Sequence, residues 1–176
     1  MLKTHNCGEL REQNDGHEVV LAGWVHRRRD QGGLIFIDLR DRWGITQVVV
    51  DESVAPDAHV IANGVRSEFV LQVKGTVRIR PDGTQNPELE TGMIDVVAHE
   101  IELLNASKTP PFYINRDDEP VEEARRMQYR YLDLRRNAVK RNLELRYAVN
   151  RAARNYLHNQ GFMDIETPFL IKSTPE

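Results

Sequence analysis

The stretch Gly23 to Asp41, GWVHRRRDQGGLIFIDLRD, limits the chain to a β-rich fold more than any other feature. It starts as a strand ending in three arginines, turns at Asp30-Gln31-Gly32-Gly33, and returns as Leu34 to Asp41. Two glycines free to take positive φ suit a tight hairpin. On the return, Ile35, Ile37 and Leu39 point one way and Phe36, Asp38 and Arg40 the other. Three aliphatics suit a core. An aromatic among polar neighbours on the opposite face does not, so Phe36 reads as an exposed ring beside Arg27, Arg28 and Arg29. A flat apolar face ringed by guanidinium is a surface on which an unpaired base stacks. Aromatics on strands pack more often than they stack, and arginine runs are more often solvated than bound. The combination of ring, arginines and glycine turn favours the platform.

The rest of the first hundred residues extends this pattern. His17 to Arg29 is the first strand, with Trp24 and Val25 anchoring it to the core, and Leu34 to Asp41 is the second. Arg42-Trp43-Gly44 forms a turn, and Ile45 to Asp51 is the third strand. Gln47 interrupts its apolar residues, either as a plain solvent-facing position or as a hydrogen-bonding group near Phe36. Pro56 to Arg66 reads as a short helix with proline in its first turn and Val60, Ile61 and Val65 on its apolar face. Phe69 to Arg80 alternates, with Leu71, Val73, Val77 and Ile79 inward and Gln72, Lys74, Thr76, Arg78 and Arg80 outward. After the loop at Pro81 to Pro87, Met93 to Leu104 is the fifth strand. Three strands, a helix and two strands is the order of a five-stranded OB barrel, which binds oligonucleotides across strands two and three. The fold class is therefore mostly β, an OB-fold barrel at 1–104, then a hinge at 105–136 rich in proline, then a helical start of a second domain at 137–176.

Between Arg125 and Arg154 ten basic residues face only Asp133 and Glu144. A solvated helix face is the default reading, and phosphate contact near a hinge the alternative. Leu145, Val149, Ala152 and Tyr156 form an apolar stripe on the long helix. Gly161 closes that helix as its C′ residue, and Phe162 to Pro168 reads as a short strand.

Composition sets outer limits. The net charge of -3 does not announce a nucleic-acid binder, so such a function must come from local clustering. One cysteine, Cys7, allows no internal disulfide, which fits a reducing, cytoplasmic setting. The first residues, MLKTHNCGELREQ, lack the apolar core of a signal peptide. No run approaches the roughly 20 apolar residues of a membrane span, so no membrane partner is expected.

These residues resemble the bacterial type of aspartyl-tRNA synthetase, a class II aminoacyl-tRNA synthetase. GWVHRRRDQGGLIFIDLRDRWGITQVV looks like that family's anticodon-binding barrel. YRYLDLRR, Tyr129 to Arg136, is similar to its joining segment, and GFMDIETPFL, Gly161 to Leu170, looks like class II motif 1. The lysyl and asparaginyl enzymes share the barrel and a related joining segment, and the motifs together favour the aspartyl enzyme. The resemblance implies that Phe36 stacks on the middle anticodon base, that Gln47 reads that uridine's edge, and that Arg29 lies in the same pocket. It places Arg78, Asn86 and Asp95 around the outer anticodon bases. It makes Gln31 and Gly83 candidates for choosing between tRNA(Asp) and tRNA(Asn). Pro168 becomes the motif 1 proline of a homodimer interface, and Glu176 a contact to the amino group of the amino-acid substrate. The family uses ATP and Mg²⁺ to form aspartyl adenylate and transfers L-aspartate to its tRNA. Its motifs 2 and 3 would lie beyond position 176, so this chain alone is expected to hold no catalytic residue or cofactor, to bind the tRNA anticodon loop weakly and to make no adenylate. The competing expectations are a free-standing OB module for single strands, and the sibling asparaginyl or lysyl enzyme.

Overall fold

Two residues at positive φ, Gly32 at 59° and Gly33 at 92°, join β1 (Glu18–Gln31) to β2 (Leu34–Arg40). Positive φ at both central residues is what a type I′ turn requires, and its twist matches that of the strands it connects. The computed structural model describes residues 2–116, 119–170 and 172–173. In it, β1 pairs with β2 from Gln31 opposite Leu34 back to Trp24 opposite Arg40, with an irregularity between Val25 and Arg27. The earlier part of β1 pairs instead with β4 (Val70–Ile79), from Glu18 opposite Thr76 to Trp24 opposite Val70. One long strand thus serves two neighbours and turns a corner at its bulge. With β3 (Ile45–Asp51) and β5 (Ile94–Asn105), the order β1-β2-β3-β5-β4 closes into a barrel. Closure leaves no unpaired sheet edge to be protected.

The expected core positions Ile35, Ile37 and Leu39 are fully buried, joined by Leu21, Val25, Val48, Val50, Leu71, Val73, Ile94 and Val96. Sequence expectations need correction at three places in the barrel. Trp24 is 40% exposed, because alternation admits one of two neighbours and Val25 holds the inner position. On α1 (Pro56–Gly64) it is Ala58 and Ala62, with Val65 beyond its end, that join the core, while Val60 and Ile61 are exposed. Small residues let the helix lie close to the barrel. At the end of β4 the inside and outside positions swap: Ile79 is 42% exposed and Arg80 4%. The Arg80 guanidinium is held there by acceptors on β5, described below, which no hydropathy pattern reveals.

The N-terminal segment, which lacks an apolar run, supplies core nonetheless: Cys7 and Leu10 are fully buried. Asp41 ties this segment down. Its Oδ2 accepts from Lys3 Nζ at 2.8 Å and the Cys7 N–H at 3.0 Å, and its Oδ1 accepts the N–H groups of Trp43 and Gly44. Thr46 Oγ1 donates to the Cys7 carbonyl at 2.6 Å. Burial opposes ionisation of Asp41, yet Lys3 and the backbone N–H groups of Cys7 and Trp43 hold its carboxyl below the usual range. Burial, with Asp41 nearby, pushes the Cys7 thiol up to about 12.

The chain divides into two compact units, Met1–Pro110 and Pro111–Glu176. In the second, α2 (Glu123–Gln128) and α3 (Arg130–Asp133) enclose Asp133, which is fully buried. Arg126 Nε donates to it at 2.9 Å, and Arg130 also bonds to it. α4 (Asn137–Asn159) ends as expected at Gly161, φ 86°, where the Gly161 N–H bonds His158 O and the Phe162 N–H bonds Leu157 O. This is a Schellman closure. From Arg141 onward every residue of α4 is solvent-exposed in the described chain, including Leu145 at 65%, Val149 at 59% and Tyr156 at 66%. The expected strand at 162–168 does not form: those residues are exposed and carry no strand pairing, since a strand exists only beside another.

Two outcomes follow from the N-terminal tie. Leu10→Ala should cost about 2–5 kcal/mol, the usual range for a fully buried leucine, read from urea unfolding although Leu10 lies in no strand. Because the folded pKa of Asp41 is depressed, its stabilisation is complete above the ordinary carboxylate value of 3.8 and is lost as pH falls through the folded value. Asp41→Asn should therefore be less stable at pH 7 and show a shallower acid limb, measured by thermal unfolding from pH 7 to pH 2.

Candidate nucleic-acid interface

Cross-strand register assembles one outer face of the barrel. Arg29 on β1 stands opposite Phe36 on β2, Phe36 opposite Val49 and Asp38 opposite Gln47 on β3. Val49 pairs with Val97 on β5, and Asp95 on β5 with Arg78 on β4. Directly opposed residues share a face, and this one is the reverse of the face carrying Ile35 and Ile37. Phe36 is partly buried rather than fully open, with Arg29 lying over it and the guanidinium carbon 5.8 Å from the ring centroid.

Beside the ring runs a chain of hydrogen bonds. Arg29 Nη2 donates to Gln47 Oε1 at 2.8 Å and to Asp38 Oδ1 at 3.2 Å. Gln47 Nε2 donates to Asp95 Oδ1 at 2.9 Å. Arg80 Nε lies 2.8 Å from the same Asp95 oxygen and 2.9 Å from the Ile94 carbonyl, and Arg78 stands 4.0 Å from Asp95 Oδ2. Gln47 is 8% exposed, so it is a hydrogen-bonding group near Phe36 and not a solvent-facing position. Burial pushes the Asp95 carboxyl above its usual range, while Arg80, Arg78 and Gln47 pull it back. Arg29 Nε and Arg80 Nη2 are buried donors without a partner among the described residues.

The structure brings together Arg29, Phe36, Gln47, Arg78 and Asp95. It adds Asp38, visible in the sequence on the Phe36 face, and Arg80, which the sequence had placed outside. Gln31 is exposed at the end of β1, Gly83 is exposed in the β4–β5 loop at φ 81°, and Asn86 is partly buried in that loop. No bond among the described residues ties these three to the network. The arginine triplet divides its labour. Arg28 donates to the Ala62 carbonyl and to Asn63 on α1, Arg29 faces Phe36, and Arg27 alone is exposed without a bond among the described residues. In the second unit Pro168 is exposed, and Glu176 lies outside the described residues. Among the described residues no group of three or more His, Cys, Asp or Glu could hold a metal ion, and no helix is long and apolar enough to cross a membrane.

Residues 19–104 match the family described as OB-fold nucleic acid binding domain, and residues 122–176 match tRNA synthetases class II (D, K and N). Across the whole chain, the aspartate–tRNA(Asp/Asn) ligase of Dehalococcoides mccartyi is 57% identical over 176 residues. That of Moorella thermoacetica is 58% identical over 174 residues, 99% of the chain. The chain belongs to the aspartyl-tRNA synthetase family. It spans 29% of the length of these relatives. The asparaginyl-tRNA synthetase of Pyrococcus horikoshii is a solved structure with TM-score 0.82 and 26% identity, covering 97% of this chain and 38% of its own. An aspartyl-tRNA synthetase from Entamoeba histolytica matches at TM-score 0.84 and 19% identity, covering 97% of this chain and 40% of its own, and shares the fold. Within this family the outer face of the barrel, with its ring, its oriented amide and its arginines, is the candidate RNA-reading surface.

Arg80 tests the network directly. Arg80→Ala leaves Asp95 buried without its closest counter-charge and should cost about 3–5 kcal/mol, the range for halving a buried pair. Urea unfolding of the 176-residue chain measures it, and a loss below about 1 kcal/mol, the scale of an exposed pair, would mean that Arg80 is not what compensates Asp95.

Proposed function

We propose that this chain is the anticodon-reading part of an aspartate–tRNA ligase. The observation that carries the proposal is the fixed direction of the Gln47 amide beside a partly open ring. Its Nε2 is committed to Asp95 and its Oε1 to Arg29. A second N–H and a second lone pair remain on the amide, the donor and acceptor that the O4 acceptor and N3–H donor of uracil call for. Cytosine presents the reverse order on that edge. To fit it the amide must turn over and break two bonds, or stay unpaired at a cost of about 1–3 kcal/mol. Phe36 supplies a face for the same base, worth roughly 1–3 kcal/mol in stacking. Arg27, Arg29 and Arg78 add sequence-blind attraction for phosphates.

The remaining functional readings rest on the family. The whole enzyme activates L-aspartate with ATP to aspartyl adenylate and transfers it to the 3′ end of tRNA(Asp), as a cytoplasmic homodimer with Pro168 at the interface. Arg78 and Asn86 meet the outer anticodon bases, Asp95, 4% exposed, holds Gln47 and Arg80 in place beneath them rather than touching a base itself, and Glu176 meets the substrate amino group. Magnesium would neutralise ATP phosphates in that reaction. The names of the relatives support acceptance of tRNA(Asn) as well. The two tRNAs share the middle uridine, so Gln47 serves both, and the choice falls to residues such as Gln31 and Gly83.

Titration of the 176-residue chain with tRNA(Asp) transcripts tests the reading. Replacing the middle uridine by cytidine should weaken binding about 5- to 150-fold, the equivalent of 1–3 kcal/mol. Phe36→Ala should weaken binding by a similar factor while changing the melting temperature little. Indifference to the middle base ends the assignment, and equal loss of binding and stability in Phe36→Ala makes the ring a packing residue.

A further inference from the structure

The loop between β4 and β5 is closed by a ring of backbone bonds. The Asn86 N–H donates to Gly92 O at 3.0 Å, the Leu89 N–H to Asn86 O at 3.2 Å, and the Gly92 N–H to Leu89 O at 2.9 Å. Two side chains fasten this ring to the barrel. Thr91, 1% exposed, donates its hydroxyl to the Ile45 carbonyl at 2.6 Å, at the start of β3. Arg80 Nη1, from the same guanidinium that meets Asp95, reaches the Thr84 carbonyl at 3.5 Å. The loop is thus anchored at both ends to strands that carry the reading face.

Inside the ring the Asn86 amide has a settled direction. Its Oδ1 accepts the Glu88 N–H at 3.0 Å. Its Nδ2, with two N–H groups, has no partner among the described residues. The side chain therefore keeps its acceptor for its own loop and has its donors to spare.

Gly92 makes this possible. A Cβ there would lie 1.8 Å from Asn86 O, 2.7 Å from Asn86 C and 2.8 Å from Leu89 O. All three are backbone atoms, so no rotamer change relieves the clash, and the ring has to open. Gly83 in the same loop differs: its φ is 81°, and a Cβ there would meet nothing within 4 Å. It shapes its turn without touching Asn86.

We propose that Gly92 is a positioning residue for RNA reading. Its missing side chain lets the loop close on Asn86 and commits the Asn86 amide as a donor to the acceptor edge of a base flanking the one on Phe36. This rests on the anticodon reading above and adds the chemical class that the loop selects: a base presenting carbonyl oxygen or ring nitrogen, such as the O6 and N7 of guanine, over one presenting an exocyclic amine.

The experiment titrates wild type, Gly92→Ala and Asn86→Ala chains with transcripts altered singly at each of the three anticodon bases. At one outer position the wild type should prefer an acceptor edge by about 5- to 150-fold. Gly92→Ala should lose that preference and keep the preference for the middle uridine. In the Asn86→Ala background it should change nothing further, since the two act as one unit. A Gly92→Ala chain that discriminates like wild type at both outer positions overturns the proposal while leaving the middle-base reading intact. A wild type blind to the middle uridine overturns both. Should Gly92→Ala fail to fold, Thr91→Val takes its place, removing only the bond to Ile45. Faster hydrogen exchange at the Asn86 amide together with weakened outer-base preference supports the proposal. Unchanged preference despite faster exchange overturns it.

Discussion

Asp95 is a carboxylate buried beneath an outward face, and the reading surface depends on what holds it there. Taking a charge out of water costs several kcal/mol unless a partner and hydrogen bonds compensate. Arg80 at 2.8 Å provides the counter-charge, and Gln47 provides a further hydrogen bond. The return on this expensive arrangement is direction rather than stability. An amide can turn over at little cost in water, but Gln47 cannot while Asp95 accepts from one end and Arg29 donates to the other. A hydrophobic pair in place of Arg80 and Asp95 would often be equally stable, and would leave the amide free to turn over. Arg80 also reaches the β4–β5 loop at Thr84, so one guanidinium registers the amide pocket and the loop to each other.

The barrel supplies what such a network needs, a closed frame. Closure removes the edges at which a sheet frays, and a fully buried set of aliphatics lies directly behind Phe36, at Ile35 and Ile37. Alternation along β2 then works as a mechanical constraint. The ring cannot slip inward without moving both isoleucines out, because a shift of one residue inverts the entire strand. The tight Gly32–Gly33 turn sets the register of β1 on β2 and so sets Arg29 opposite Phe36.

What the sequence made legible was whatever repeats. Period-two alternation located the strands, and their order with one helix indicated the barrel. Phe36 and Gln47 stood out because each broke a local pattern. What stayed hidden depends on single partners distant in sequence. Arg80 counted as another outward residue of a basic row, and its acceptors on β5, the Asp95 carboxylate and the Ile94 carbonyl, explain its burial. Cys7 and Leu10 sit in a polar stretch too short for any period to show, yet they fill the core because Asp41 and Thr46 seize the backbone around Cys7. Val60 and Ile61 read as a helix's inner face, but the close approach of α1 suits the smaller Ala58 and Ala62. The stripe on α4 is real as a pattern and exposed in fact. A stripe states that a face is apolar and leaves its partner unnamed.

The same device recurs at three joints of the chain. Asp41 fastens the N-terminal segment through Lys3, Asp95 sets the reading face through Arg80, and Asp133 clasps the short helices through Arg126 and Arg130. Their surroundings make the first two unequal in acid. The Asp41 carboxyl is held below the ordinary value of 3.8 by Lys3 and backbone N–H groups, whereas burial holds that of Asp95 above it. A falling pH therefore protonates Asp95 first. The amide of Gln47 loses its charged acceptor while the tie at Asp41 still keeps Cys7 and Leu10 in the core. Reading and folding are thus guarded by carboxylates of opposite character. The carboxylate beside Gln47 gives way while the one tying the N-terminal segment persists, so a falling pH reaches the amide network before it reaches the tie at Asp41.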